Sequence, residues 1–171
     1  PLQTIERQLV DTIQRHLNLP ESEARSRAVD LLDQVGIPDP SVRIAQYPHQ
    51  FSGGMRQRVV IALALCADPE LVIADEPTTA IDVTTQAQVL NLLRRLQREL
   101  SMSIIFITHD LGVIAQIADY VVVMYLGRIV ETGPVDDIFH NPQHPYTIAL
   151  LESIPTIHQA SKELLPTIEG S

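Results

Sequence analysis

The tripeptide SGG at residues 52–54 places Ser52, Gly53 and Gly54 directly before a run with helical character. A glycine inside a helix costs about 1 kcal/mol relative to alanine, so the pair must serve something other than helix stability. Ser52 suits the N-cap, where the first backbone N–H groups lack partners and carry partial positive charge. Such an end binds anions, most often phosphate, and glycine lets the anion approach closely. The alternative, which the tripeptide alone favours, is a glycine turn that only starts a helix.

Two adjacent carboxylates, Asp75 and Glu76, close the apolar run LVIA at residues 71–74, which predicts a buried strand ended by Pro77. Ligands of open α/β sheets bind at the carboxyl ends of strands. An Asp at that position helps to hold Mg²⁺ in nucleoside triphosphatases, and a following Glu can accept a proton from attacking water. The alternative is two solvated acids in a turn, which is less common for a pair beside so apolar a run.

A second predicted buried strand, SIIFIT at residues 103–108, leads to His109 and Asp110. We expect Thr108, His109 and Asp110 to reach the same sheet edge as the first pair of acids. A lone histidine is usually structural or exposed, but a histidine beside a candidate catalytic carboxylate more often contacts the ligand. The expected task of His109 is a hydrogen bond to a terminal phosphate or to the attacking water.

Helices and strands with clear periodicity surround these residues and must position them. Apolar residues at helical spacing predict helices over residues 3–17, 20–35, 52–67 and 83–100. The third is apolar on nearly all sides and is expected to be buried. Gly36 fits the end of the second helix, and Asp82 fits the N-cap of the fourth.

The remaining pattern runs to about residue 153 and then fades. It predicts a helix to about residue 118, a strand at 120–125 paired with 127–133, and short helices near 135–140 and 145–153. Strands that alternate with helices predict an α/β fold with a parallel sheet.

Composition limits the class of protein. The formal net charge of −9, from 21 acidic and 12 basic residues, disfavours a nucleic-acid binder and direct adsorption to anionic lipid. Cys66 is the single cysteine, so no internal disulfide can form and a reducing cytoplasm is the simplest compartment. The longest apolar runs, VVIALALCA and YVVVMYLG, are shorter than the roughly 20 residues that a membrane-spanning helix needs.

The order of four motifs in this sequence resembles the motif order of the ATP-binding cassette (ABC) ATPases. FSGGMRQR, LVIADEPT, AIDV and ITHD stand in the order, and at about the spacing, of that family's signature motif, Walker B strand, D-loop and H-loop. PHQFSGGMRQRVVIALAL, TTAIDVTTQAQVLNLL and HNPQHPYTIALLESIP look like the ATPase subunits of oligopeptide, dipeptide and nickel importers. Phe51, Met55 and Ile81 depart from the family's commonest residues, but none of them removes a reacting group.

The resemblance implies the C-terminal part of a P-loop NTPase cassette, an α/β domain with a mostly parallel sheet, flanking helices and an α-helical subdomain. Three segments are then expected. Residues 1–50 form a permease-facing helical subdomain, residues 51–133 an incomplete ATPase core, and residues 134–171 a C-terminal extension typical of peptide importers. Such a subunit energises uptake of peptides, nickel or related solutes as a peripheral protein on the cytoplasmic face of the cell membrane.

The same resemblance implies ATP and Mg²⁺ as ligands. Ser52–Gly54 would contact the γ-phosphate of ATP held by a second ATPase subunit in a head-to-tail dimer. Asp75 would act on Mg²⁺ through water, and Glu76 would be the general base. His109 would sense the γ-phosphate, and Asp82 would lie across the dimer interface. Transmembrane permease subunits and, indirectly, a solute-binding protein are the other expected partners, with no nucleic acid.

Several alternatives stay open. The single lysine is Lys162, and the phosphate loop GxxxxGK[ST] does not occur in these residues. The family's phosphate loop, adenine-stacking aromatic and Q-loop glutamine are expected upstream of Pro1. The chain alone is therefore expected to be an inactive fragment whose sheet lacks flanking strands, and a non-catalytic dimerisation or docking module is the alternative.

Two weaker alternatives concern other kinds of protein. A cassette ATPase of DNA repair or translation is disfavoured by the net charge and by the segment HNPQHPYT. A metal site at His140 and His144 is disfavoured because Pro142 breaks the helix that would align the two rings.

Overall fold

The computed structural model describes residues 2–79 and 81–153, which divide into two compact units at Ile107/Thr108. The elements of the first unit are α1 (Ile5–Leu17), α2 (Glu21–Gln34), α3 (Pro40–Arg43), a 3₁₀ turn (Pro48–Gln50), α4 (Gly53–Leu65), β1 (Leu71–Asp75), α5 (Val83–Leu100) and β2 (Ser103–Ile107). The elements of the second unit are α6 (Leu111–Ile117), β3 (Tyr120–Tyr125), β4 (Arg128–Pro134), α7 (Val135–His140) and α8 (Pro145–Glu152).

One hydrophobic core joins four helices of the first unit. Each of them contributes apolar side chains at helical spacing, and burial of each Leu or Ile contributes about 1.5–3 kcal/mol. The buried side chains include Ile5, Leu9 and Ile13 of α1, Ala24, Ala28 and Leu32 of α2, Val59, Ala62 and Leu65 of α4, and Val89, Leu93 and Leu96 of α5. The helices predicted over 3–17, 20–35 and 83–100 are confirmed, and Gly36 follows α2 with a φ of +77°.

The structure corrects the burial predicted for α4. The helix is present, but Val60 is 55% exposed, so the prediction that α4 is buried on all sides is wrong. The core side chains of α4 all lie on one stripe, and Val60 lies off that stripe. A helix with apolar residues all round can still pack with one face only when the elements around it cover one side.

The parallel pair β1 and β2, joined through α5, confirms the predicted parallel pairing, with Ile73 opposite Ile105. Both strands were expected to be buried, and this expectation is wrong for one face of the pair. Leu71, Ile73, Ile105 and Ile107 are 49%, 63%, 48% and 47% exposed. Parallel strands are buried on both faces only where helices cover both, and the described helices of this unit leave this face exposed.

The second unit is built on the predicted hairpin, in which β3 and β4 pair antiparallel. Leu126 and Gly127 connect the two strands with φ values of 48° and 74°. Two consecutive positive φ values match the tight turns whose twist suits a hairpin. Within the described residues, this pair is a sheet of its own.

The helices of the second unit follow the predicted positions, from α6 to α8. The fading pattern beyond residue 153, which includes Lys162, lies outside the described residues, as do Pro1 and Ala80. The division into segments at residues 50 and 133 stays a prediction. None of the helices within residues 2–79 and 81–153 is both long enough and apolar enough to span a bilayer.

Candidate functional site

The N-terminal end of α4 is the first part of the candidate site. Ser52 is its N-cap, as predicted, and the Ser52 hydroxyl accepts a hydrogen bond from the Met55 N–H at 3.3 Å. Ser52 and Gly53 are exposed. Because the first N–H groups of a helix have no partners within it, this end presents backbone donors and partial positive charge to solvent.

The two glycines of the tripeptide have different neighbours. A Cβ on Gly54 would lie 2.7 Å from the Cγ2 atom of Thr85 on α5, a distance that real Cβ atoms do not reach. A Cβ on Gly53 would meet no atom from elsewhere in the described chain within 4 Å. Gly54 therefore allows α4 to pack closely against α5, whereas Gly53 keeps an open backbone surface. The sequence pattern indicated both glycines and could not separate these roles.

The N-terminal end of α5 approaches the same region. Asp82 is its N-cap, as predicted, and its carboxylate accepts hydrogen bonds from the Thr85 hydroxyl at 2.6 Å and the Thr85 N–H at 2.9 Å. The hydrogen bonds from the Thr85 hydroxyl and backbone lower the pKa of Asp82. Thr85 thus bonds to Asp82 and fills the space that a side chain at position 54 would need. A role for Asp82 across a dimer interface stays a prediction.

A pocket of about 310 Å³ lies between the starts of α4 and α5. Its lining includes Ser52, Gly53, Gly54, Arg58, Asp82 and Thr85. The predicted signature residues and the predicted D-loop residue therefore line one concavity. Its size is at the low end of ligand pockets, and its lining holds one cation, Arg58, and one carboxylate, Asp82, beside the start of α4.

The carboxylates after β1 form the second part of the candidate site. Asp75 ends the strand with an exposed side chain, in register with Ile107 of β2. Glu76 has a left-handed φ of +47°, and its N–H donates to the Ile107 carbonyl at 2.9 Å. The Thr79 hydroxyl donates to Glu76 Oε2 at 2.8 Å. Left-handed backbone costs a non-glycine residue about 1–2 kcal/mol, and such residues cluster at functional sites.

The sequence indicated Glu76 but missed both its backbone conformation and the contact with Thr79. The available signal was the run PTT directly after the two acids, in which a threonine hydroxyl follows Glu76 at turn spacing. The left-handed backbone has no sequence signal, because it depends on the hydrogen bond to Ile107 across the sheet.

His109 lies in the second unit, exposed and shortly after the end of β2. Its neighbour Asp110 caps α6, because Asp110 Oδ1 accepts from the Gly112 N–H at 2.9 Å and the Val113 N–H at 3.2 Å. The Asp110 carboxylate thus has a structural function in starting the helix. The place of His109 beside Asp75 and Glu76 stays a prediction.

The histidines of the alternative metal site make local contacts. His140 Nδ1 lies 3.0 Å from the Asp136 carbonyl, and His144 Nδ1 accepts from the Tyr146 N–H at 3.1 Å. Across residues 2–79 and 81–153, no cluster of three or more His, Cys, Asp or Glu side chains could hold a metal ion. The role of Asp75 toward Mg²⁺ stays a prediction, and a single exposed carboxylate is compatible with an ion that takes one or two carboxylates together with water and phosphate oxygens.

The segment HPYT is fixed to β4 by a carboxylate that sequence reasoning missed. Glu131 accepts from the Gln143 N–H at 2.7 Å and the His144 N–H at 3.1 Å. The hydroxyl of the buried Thr147 and these backbone groups lower the pKa of Glu131. The rings of Tyr125 and Tyr146 pack with their centroids 4.3 Å apart. The start of α8 is therefore held on the hairpin by charge and by aromatic contact.

Two protein-family models match this sequence, one in its N-terminal half and one at its C-terminal end. The ABC transporter family matches residues 2–79, and the C-terminal region of oligopeptide/dipeptide transporters matches residues 130–171. The oligopeptide transport ATP-binding protein OppD of Bacillus subtilis (strain 168) is 56% identical over 171 residues, which is 100% of this chain and 48% of OppD. The dipeptide transport ATP-binding protein DppD of the same organism is 53% identical over 171 residues, again 100% of this chain and 51% of DppD.

A solved structure confirms the predicted fold class. A dimeric ATP-binding cassette in a post-hydrolysis state, bound to ADP and Pi, is 28% identical, with a TM-score of 0.66 over 79% of this chain and 58% of that chain. The chain spans about half the length of the curated relatives named above. The chain belongs to the ABC transporter family of ATP-binding proteins, in its oligopeptide/dipeptide branch.

Proposed function

We propose that this chain supplies the signature and Walker B parts of an ATPase that drives the import of peptides. The observation that carries the proposal is the pocket between α4 and α5, where the start of α4 presents the open backbone of Gly53 with Arg58 in the same lining. Helix N-termini and bare glycine backbone together suit a phosphate group. The proposed substrate is therefore ATP, whose γ-phosphate would meet Ser52–Gly54.

Glu76 is the proposed general base. Its backbone is fixed by the hydrogen bond to Ile107, and its carboxylate is oriented by the Thr79 hydroxyl. A carboxylate held in this way at a strand end can accept a proton from water as that water attacks phosphorus. Asp75 would hold Mg²⁺ through water, and the bound ion would neutralise charge on the phosphate oxygens. His109 would contact the terminal phosphate.

The proposed partners follow from the relatives. A dimeric cassette is among the similar structures, which supports a head-to-tail dimer in which Ser52–Gly54 of one subunit meet ATP on the other. The two relatives named for oligopeptide and dipeptide transport support peptides as the solute. Permease subunits and a solute-binding protein would complete the importer, with the ATPase on the cytoplasmic face of the membrane.

Replacement of the proposed base tests the function directly. Because this chain spans about half of its relatives, the experiment uses a hybrid cassette, defined as Bacillus subtilis OppD with the matching region replaced by this chain. We expect the hybrid cassette to hydrolyse ATP. We expect Glu76→Gln to lower kcat at least about a hundredfold while nucleotide binding persists, because the amide cannot accept the proton.

The matched control is Glu70→Gln, an exposed residue just before β1 and outside the site. It should leave kcat within about twofold of the unaltered hybrid, as surface substitutions usually do. Near-normal hydrolysis by Glu76→Gln would remove Glu76 from the role of base. An inactive hybrid cassette that folds and dimerises would favour the non-catalytic alternative.

A further inference from the structure

The C-terminal end of α2 receives guanidinium groups from two other helices. Arg58 of α4 donates from Nη1 to the Val35 carbonyl at 2.6 Å, and Arg95 of α5 donates from Nη2 to the Gln34 carbonyl at 2.6 Å. The last carbonyls of a helix lack partners within it and form the negative end of its dipole. Three helices of the first unit therefore meet at one charged junction.

Arg58 makes a second contact that ties this junction to the pocket. Its Nη2 atom donates to Gln88 Oε1 of α5 at 3.3 Å, and Arg58 and Gln88 both line the pocket between α4 and α5. Gly36 leaves room for it, because a Cβ there would lie 3.0 Å from Arg58 Nη1. The flat fork of an arginine can donate to a carbonyl and an amide oxygen at once, which the single ammonium of lysine cannot reproduce.

We propose that Arg58 is a positioning residue, which holds the first turn of α4 at a fixed orientation relative to α2 and α5. This inference rests on the proposed function, because it gives the orientation a consequence for ATP. Arg58 follows the signature residues on the same helix, so any rotation of α4 that breaks its contacts with Val35 and Gln88 also turns the Gly53 surface. Small misplacements of a binding group can cost orders of magnitude in rate.

Arg95 provides an internal comparison for this role. It caps the same end of α2, but from α5, and it also pairs with Glu99 at 3.6 Å on its own helix. Loss of either arginine removes a cation from the α2 terminus. Only loss of Arg58 also removes the hydrogen bonds that link α4 to Val35 and Gln88. A purely structural role for the two arginines predicts equal consequences, whereas the positioning role predicts different ones.

The test measures kcat and KM for ATP, together with thermal unfolding, for four variants of the hybrid cassette. We expect Arg58→Lys and Arg58→Met to lower kcat by about tenfold or more. We expect Arg95→Lys and Arg95→Met to stay within about twofold of the unaltered kcat, with similar unfolding temperatures for the two lysine variants. The lysine variants keep the charge, so they report on folded protein even if a methionine variant does not fold.

Two results would overturn the inference. If Arg58→Lys keeps its kcat, or if the Arg58 and Arg95 variants lose kcat equally, Arg58 only caps α2. With either of these results, the proposed function would still be supported as long as the unaltered hybrid cassette hydrolyses ATP. If the unaltered hybrid does not hydrolyse ATP, the proposed function fails first and the positioning role fails with it.

Discussion

The N-terminal ends of α4 and α8 both have a side-chain cap, but they differ in whether a carboxylate of the chain lies beside the helix start. At α8, the His144 ring accepts the Tyr146 N–H, and the Glu131 carboxylate accepts the N–H groups of Gln143 and His144, so a negative charge from the chain itself lies beside the start of the helix. At α4, the acceptor is the neutral Ser52 hydroxyl, and the surface over Gly53 is open. Since both ends attract anions, the difference is whether the anion belongs to the protein.

This contrast separates a structural helix start from a candidate ligand site. The start of α5 resembles that of α8, because Asp82 supplies its own carboxylate. Among these three helix starts, α4 has a hydroxyl cap with glycine at its first position, α5 has a carboxylate cap, and α8 has the His144 ring as its cap with Glu131 on the residues just before it. An internal carboxylate stabilises a helix at all times, whereas an open end keeps its donors available for an incoming phosphate.

The largest effect is expected where the open end packs against its neighbour. Gly54→Ala would place a methyl group 2.7 Å from Thr85 Cγ2, so we expect the free energy of unfolding to fall by about 1–3 kcal/mol. Gly53→Ala meets open space, so it should not lower that free energy, and the helix propensity of alanine can raise it by up to about 1 kcal/mol. Denaturant unfolding of the Gly53→Ala and Gly54→Ala variants of the hybrid cassette measures this difference in the free energy of unfolding.

A second substitution checks the cause. Thr85→Ser removes the Cγ2 methyl group and keeps the hydroxyl that donates to Asp82. The pair Gly54→Ala with Thr85→Ser should therefore recover most of the lost stability, a coupling that a double-mutant cycle measures. Equal losses for Gly53→Ala and Gly54→Ala, or no recovery in the pair, would show that Thr85 does not set the requirement for glycine.

The sequence could predict the elements of the first unit better than their surroundings. Periodicity identified α5 and the serine and aspartate caps, because these depend on local spacing and local hydrogen bonds. It could not reveal that Ile73 and Val60 are exposed, because burial depends on which distant elements cover a face. The apolar strands were predicted correctly as strands and wrongly as buried for this reason.

Long-range polar contacts escaped prediction in the same way. Glu131 lies in a strand and meets the HPYT segment only through the fold, and Arg58 meets Val35 only because α2 and α4 pack together. The places of Ser52 at a helix start and of Asp75 and Glu76 at a strand end could be predicted from order and spacing along the chain, while their roles stay predictions. The contacts of Thr79 with Glu76 and of Thr85 with Asp82 are local, so the sequence offered a signal for them, whereas the approach of Thr85 to Gly54 depends on how α4 and α5 pack.

An intermediate effect is expected from converting the open helix end into a filled one. Ser52→Asp would place a permanent carboxylate where the phosphate is proposed to bind. Asp is as good an N-cap as Ser, so the stability of the hybrid cassette should change by less than about 0.5 kcal/mol. The ATPase rate at subsaturating ATP should fall about tenfold or more, because the new charge repels the triphosphate.

The matched control makes the same change at α1. Thr4 is the N-cap of that helix and accepts from the Arg7 N–H at 3.2 Å, away from the pocket. Thr4→Asp should keep both the stability and the ATPase rate. If Ser52→Asp hydrolyses ATP as fast as Thr4→Asp, the start of α4 is not an anion site. It would then be a structural helix start only, like that of α8.

The smallest effect is expected at the filled end, and it should depend on pH. Contacts with Thr147, Gln143 and His144 lower the pKa of Glu131, so the carboxylate is more acidic in the folded chain than in the unfolded one. The stabilisation is therefore complete above the ordinary pKa of a glutamate and is lost as pH falls through the lowered value. We expect Glu131→Gln to speed amide hydrogen exchange of Gln143 and His144 at about pH 6, and the difference from the unaltered protein to shrink as pH falls below the ordinary pKa of a glutamate.

The control for that measurement is Glu152→Gln, an exposed glutamate in the last turn of the same helix. Its carboxylate lies near the negative end of the helix, where removing a charge should not speed exchange at residues 143 and 144. A difference between Glu131→Gln and the unaltered protein that stays constant with pH would mean that the carboxylate charge does not close the helix start. The contrast between α4 and α8 would then reduce to the Gly53 surface, because α8 would be held by its tyrosine contact rather than by an internal anion.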